Sequence, residues 1–223
     1  MRTFLPCLLT ILFLSCADRS VYKSPDLGAQ SLKHQTIAVL PVKITQTGHV
    51  PKNVTEAEIK VANDKWSYVF QESLHSYILK QTSRNKKGQV VSFQALQKTN
   101  AILKEKGFTT EDLYSKAPEE LAALLEVDAV LMTTLEKDKN FSDGVAYGLA
   151  AGRTVLNVLS KNTVGLPGVN SSDINMNCYL YDAGDSKLLW KTYRTGGTDL
   201  PANVDGVIEY YSNWIAKKLP YRS

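Results

Sequence analysis

Apolar and polar positions follow contrasting periods along this chain. Thr36 to Leu40 is a continuous apolar run closed by Pro41, the pattern of a strand buried on both faces. Lys43 to Asn53 is polar, with Gly48 and Pro51, and predicts a loop. From Thr55 the period changes. Ile59, Ala62, Trp66, Val69, Phe70, Leu74, Tyr77 and Ile78 recur at three and four, one stripe of a helix reaching about Gln81. Thr55 can cap that helix, and Glu56 and Glu58 suit its first turn. Gln89 to Phe93 predicts a second strand, Ala95 to Lys106 a helix stopped by Gly107, and Thr109 to Asp112 a short helix start. Pro118 opens a further helix through Leu125, at the position where a missing N–H costs nothing. Asp128 to Leu135 is apolar enough for a central strand.

Beyond Leu135 the pattern divides. Phe141 to Asn162 carries Gly144, Gly148 and Gly152 four apart, with Ala146, Ala150 and Ala151 between them. On a helix those glycines share one face, and each costs about 1 kcal/mol against alanine. That spacing marks Gly144, Gly148 and Gly152 as an interaction surface for a partner or a second copy, with a tight helix-on-core contact or a glycine-rich loop as the plainer alternative. Ile174 to Tyr181 alternates, Asp182 to Asp185 turns, and Lys187 to Thr195 returns: a hairpin. Val204, Val207, Ile208, Tyr211, Trp214, Ile215 and Leu219 stripe a last helix. Strand, helix, strand, helices, strand implies parallel pairing through crossovers. The expectation is an α/β domain with a single mixed β-sheet of about five strands, parallel crossovers first and antiparallel hairpin last, packed by helices.

The first residues change where this domain is placed. Met1-Arg2 is a positive start, Phe4 to Leu14 an apolar run, and Ser15 a small residue before Cys16. That is a secretory signal, too short to span a bilayer, which takes about 20 apolar residues. Leu12-Phe13-Leu14-Ser15-Cys16 resembles a bacterial lipobox, with Phe13 where leucine is usual. The resemblance implies cleavage before Cys16 and lipid on its thiol and amine; Ser15-Cys16-Ala17 would also serve ordinary cleavage after Ala17. Two or three chains, at about 0.8 kcal/mol per methylene, make a lasting anchor. Ala17 rather than aspartate after the cysteine implies, within that family, the outer membrane. Residues 1–15 are thus expected to be a signal peptide, 16–35 a flexible tether reaching about 25 Å on average, and 36–223 a single domain.

Composition narrows the function classes. The net charge of +4 in 223 residues is too small to argue for nucleic acid. Cys7 leaves with the signal and Cys16 carries lipid, so Cys178 has no disulfide partner and reads as a small buried hydrophobe. His34, His49 and His75 fall in tether, loop and helix surface, without spacing for a metal. No nucleophile elbow, phosphate loop or dinucleotide fingerprint is present. The expectation is a protein that is not an enzyme and uses no cofactor or metal.

Three segments together resemble known envelope proteins. Ile37-Ala38-Val39-Leu40-Pro41, Asp128-Ala129-Val130-Leu131, and Asp182 through Leu189-Trp190 are similar to the first strand, third strand and final hairpin of lipoproteins related to the curli-secretion channel. The amino-terminal domain of the Tol-system translocation protein and the lipoprotein activator of a peptidoglycan synthase share that fold. The resemblance implies a membrane-anchored binding or accessory module for a cell-envelope assembly in transport, secretion or wall synthesis. The alternative it implies is a subunit of an oligomeric secretion ring or channel.

Overall fold

The computed structural model describes residues 20–48, 55–83, 91–139, 172–198 and 204–221. Its elements in chain order are β1 (Val21–Lys23), α1 (Leu27–Ser31), β2 (Thr36–Val39), β3 (Lys43–Gly48), α2 (Glu56–Thr82), β4 (Ser92–Phe93), α3 (Leu96–Glu105), α4 (Thr110–Leu113), α5 (Pro118–Leu125), β5 (Ala129–Lys139), β6 (Ser172–Asp182), β7 (Leu188–Thr198) and α6 (Val204–Lys218). They form an open mixed sheet packed by helices, in the order β1-β7-β6-β5-β2-β4, with β3 on β5 beyond the end of β2. β2 runs parallel to β4 and β5, and the β6–β7 hairpin is antiparallel. Mixed sheet, parallel crossovers and closing hairpin are as the sequence predicts.

The sheet has seven strands, not about five. The two additions are β1 and β3, and both lack the signal that marks a buried strand. In β3 every residue is half-buried or exposed, so no apolar run announces it. What remains is the β-branched alternation of Thr45 and Thr47 around Gln46. Its partner is the polar second half of β5, from Thr134 to Lys139. The stretch expected to be loop from Lys43 is therefore strand as far as Gly48.

The larger correction concerns the tether. From Ser20 onward it is part of the domain. β1 pairs antiparallel with β7, Val21 opposite Thr192 and Lys23 opposite Trp190. The Ser20 carbonyl accepts from the Tyr193 N–H and the Thr192 hydroxyl, each at 3.0 Å. Leu27 of α1 is buried in the main core. Short strands and helices with a single apolar anchor have no period to read, so composition alone misplaced them.

Two apolar layers sandwich the sheet. On one face Ile37, Val39, Leu131, Met176, Cys178, Leu180 and Trp190 meet Phe70, Leu74 and Ile78 of α2 and Ile208, Tyr211 and Ile215 of α6. On the other, Ala38, Leu40, Val130 and Met132 meet Leu103, Leu113, Leu121 and Leu125 of α3, α4 and α5. Successive residues of β2 enter opposite layers, which is why its sequence is continuously apolar. The helices start where expected. Thr55 and Glu58 form a reciprocal capping box, as do Thr109 and Asp112.

β2 and β3 are one strand line interrupted at Leu40-Pro41-Val42. Val39 lies opposite Leu131 and Lys43 opposite Thr134, so four steps on one side meet three on the other. Proline has no N–H for the ladder, and the gap frees backbone groups of β5. Tyr114 fills it. Its hydroxyl accepts from the Thr133 N–H at 2.9 Å and turns its proton toward the carbonyls of Thr133 and Pro41, the latter at 3.1 Å. Burial pushes the Tyr114 hydroxyl far above its ordinary range, so it keeps that proton. Tyr114→Phe should cost about 1–3 kcal/mol, the penalty of leaving buried groups unpaired, read as a lower midpoint in thermal melting. An unchanged midpoint would mean that water replaces the hydroxyl without loss.

Candidate interaction surface

The positions singled out in the sequence, Cys16 and the glycines Gly144, Gly148 and Gly152, lie outside the described residues. The structure instead brings together groups that the sequence scatters. His34, placed in the tether by the sequence, is 3% exposed. Its Nε2 donates to Oδ1 of Asp182 at 2.8 Å, and its Nδ1 accepts from the hydroxyl of Tyr221. Burial, then the carboxylates of Asp182 and Asp128, push the Tyr221 hydroxyl well above its ordinary range. An Asp-His-hydroxyl relay could in principle move a proton. Here the hydroxyl holds its proton, and Tyr221 as a whole is 7% exposed. The geometry is that of a pin joining both ends of the described chain to the end of β6.

Carboxylates at strand ends complete that pin. Oδ2 of Asp128 accepts from the backbone N–H groups of Gln35 and Thr36, each at 2.8 Å. Oδ2 of Asp182 accepts from the Gly184 N–H at 2.9 Å. Lys187 pairs with Asp26 at the surface. The signal in the sequence was the placement of Asp128 at the first residue of a predicted strand and of Asp182 at the first residue of a predicted turn, where a carboxylate meets free N–H groups.

The opposite end of the sheet is open. Among the described residues no strand pairs with the outer edge of β3, and a groove of about 330 Å³ lies beside the strand. The strand side of the groove is Lys43 to Gln46; the far wall is α2, with Ile59, Lys60 and Asn63, and the start of α4, with Thr110. A second, apolar cavity of about 150 Å³ lies across β3, walled by Trp66, Phe70, Ile174 and Val207. The first turns of α2 add apolar surface that the core does not use: Val61 is 71% exposed. Of the expected α2 stripe, Phe70, Leu74 and Ile78 are buried while Ile59 is half-buried and Ala62 exposed. An unpaired strand edge beside a helix-walled groove is the geometry that accepts an extended peptide as an added strand.

Cys178 is buried, as expected, and accepts a hydrogen bond from the Thr133 hydroxyl at 3.1 Å. Burial pushes its thiol up to about 12, so it is unreactive at neutral pH. Among the described residues no group of His, Cys, Asp and Glu is arranged to hold a metal ion.

His75 departs from the surface position expected of it. It is half-buried and its Nε2 is enclosed without a partner. Burial holds its pKa below the usual imidazole value, against the pull of its bond to the Gln94 backbone. The unfolded chain, titrating near about 6.5, therefore takes up this proton first. Stability from this group is full above that value and is lost as pH falls through the lower folded value. Melting temperature should drop between pH 7 and 5, and His75→Leu should flatten that drop. An identical slope in the variant would contradict this role.

No protein-family model matches the chain and no curated protein matches it. Solved structures do. Lipoprotein GNA1162 from Neisseria meningitidis is 16% identical, over 82% of this chain and 99% of that one, with a TM-score of 0.44. The C-terminal domain of LpoB from Salmonella enterica is 12% identical, over 77% and 93%, at 0.39. PelC from Paraburkholderia phytofirmans, a dodecamer, is 11% identical, over 91% and 95%, at 0.41. The functional reading below rests on this chain's own residues. No described helix is long and apolar enough to cross a membrane.

Proposed function

We propose that the protein is a lipoprotein of the cell envelope, held by lipid on Cys16, whose domain binds and assists an envelope assembly without catalysing a reaction itself. The observation that carries the binding role is the edge of β3, unpaired among the described residues, beside its groove. An open strand edge is a ready template for pairing with another chain. The signal run ending at Cys16 supplies the compartment. The short strand motifs resembling the curli-channel and Tol-protein fold group accord with such a role, and Ala17 after the cysteine favours the outer membrane. The same edge also supports a second reading, a subunit that adds its β3 to a neighbouring copy in a ring.

Purifying the protein from detergent-solubilised envelopes tests the proposal. A stoichiometric envelope partner retained by the native chain and lost with Ile44→Asp supports the accessory module. A discrete homo-oligomer dissociated by the same substitution supports the ring. A monomer without partner, unaffected by the substitution, contradicts both.

A further inference from the structure

The packing of the segment before β2 limits how far the domain can stand from a lipid on Cys16. Only four residue steps separate Cys16 from Ser20, and the Ser20 carbonyl is fixed against Tyr193 and Thr192 of β7. Four steps reach at most about 14 Å. An anchor on Cys16 therefore holds the β1–β7 edge against the bilayer, where a tether running to Gln35 would have let the whole domain swing free. The side chains on that edge suit such a position. Tyr22 and Tyr193 are 49% and 45% exposed and lie on one face of the sheet, since Tyr22 is opposite Lys191 and Tyr193 follows two residues later. Lys191 lies over the ring of Tyr179, its Nζ 5.1 Å from the centroid. On the other face Lys23 is exposed, and Arg194 lies over the rings of Tyr210 and Trp214 at 5.1 and 5.5 Å. The neighbouring carboxylate Asp26 is taken up by Lys187; on the adjoining helix α6 the acidic groups are Asp205 and Glu209. Tyrosines with an apolar ring and a polar tip belong at the headgroup level of a membrane, and lysine and arginine beside them are drawn to anionic lipid.

We propose that the β1–β7 edge is a membrane-facing surface, with Lys23, Lys191 and Arg194 on anionic phospholipid headgroups and Tyr22 and Tyr193 seated at the interface. The proposal rests on the lipid-anchor reading. It also orients the molecule: β3 and its groove are on the far side of β5 from this edge, turned toward the envelope interior where a partner would approach.

The test uses the mature full-length protein in phosphatidylglycerol-containing vesicles, with lysine acetylation read residue by residue by mass spectrometry. Lys104, exposed on α3 toward the opposite edge of the sheet, is the internal reference. Lys23 and Lys191 should be modified at least fivefold more slowly than Lys104, after normalisation to the detergent-solubilised protein. The difference should shrink in uncharged phosphatidylcholine vesicles and at high salt. Equal rates at all three lysines in the acylated, vesicle-bound protein overturn the proposal. Intact mass of the same sample separates the two readings. If Cys16 carries no lipid, the anchor reading fails, and sedimentation with phosphatidylglycerol vesicles decides the edge alone. Binding lost in the K23E/K191E double variant supports it, and no binding overturns it.

Discussion

Asp182→Ala should release both ends of the domain at once. The substitution strips His34 of the acceptor for its Nε2–H and Gly184 of the acceptor for its N–H. With His34 only 3% exposed, water has little access to the ring. The buried His34 donor left unpaired costs about 1–3 kcal/mol, while the exposed Gly184 N–H is open to water, and the melting temperature should fall by roughly 3–10 °C. The effect reaches further than the local bonds, because His34 also orients Tyr221. Limited proteolysis should show cleavage between Ser24 and Gln35 in the variant under conditions where the native chain is intact there. Tyr221→Phe should cost less, since Asp182 still holds the ring. If Asp182→Ala melts with the native protein and its first residues stay protected, the contacts of β1 and α1 alone hold the segment and the pin is incidental.

Trp190→Ala should cost about 3–5 kcal/mol. The indole is fully buried in the larger core, on β7 opposite Leu180 and Lys23. Its removal opens a cavity beneath the strand that carries both β1 and the Ser20 contact. The indole N–H has no hydrogen-bond partner, so Trp190→Phe removes an unsatisfied donor as well as volume and should cost only about 1–2 kcal/mol. Urea unfolding of the two variants measures the difference. Equal losses would mean that the ring's edge, and not its bulk, stabilises the site.

What could be read from the sequence divides along physical lines. Elements with a full apolar stripe or run were legible: α2 through Phe70, Leu74 and Ile78, the buried strand β2, and the hairpin through Met176 and Cys178. Capping and turn chemistry was legible too, from Thr55, Thr109 and Pro118. Elements held mainly by backbone pairing, with one half-buried apolar residue each (Val21 in β1, Ile44 in β3), were not. β3 buries no residue, and β1 is three residues long. Contacts between distant positions were invisible in principle: His34 meets Tyr221 across 187 residues, and no local pattern encodes that. For the same reason the groove beside β3 could not be foreseen, because its strand wall was read as loop. Cys178 shows the opposite case, where a chemical type and an alternating strand pattern were enough to place it in the core.

The intact mass of the mature protein, isolated from the membranes of a Gram-negative host, bears most directly on the central claim of a lipid-held domain. The expected species begins at Cys16, lacks residues 1–15, and carries the added mass of two or three acyl chains. A chain that begins at Asp18, or that retains Met1, without acyl mass would contradict it.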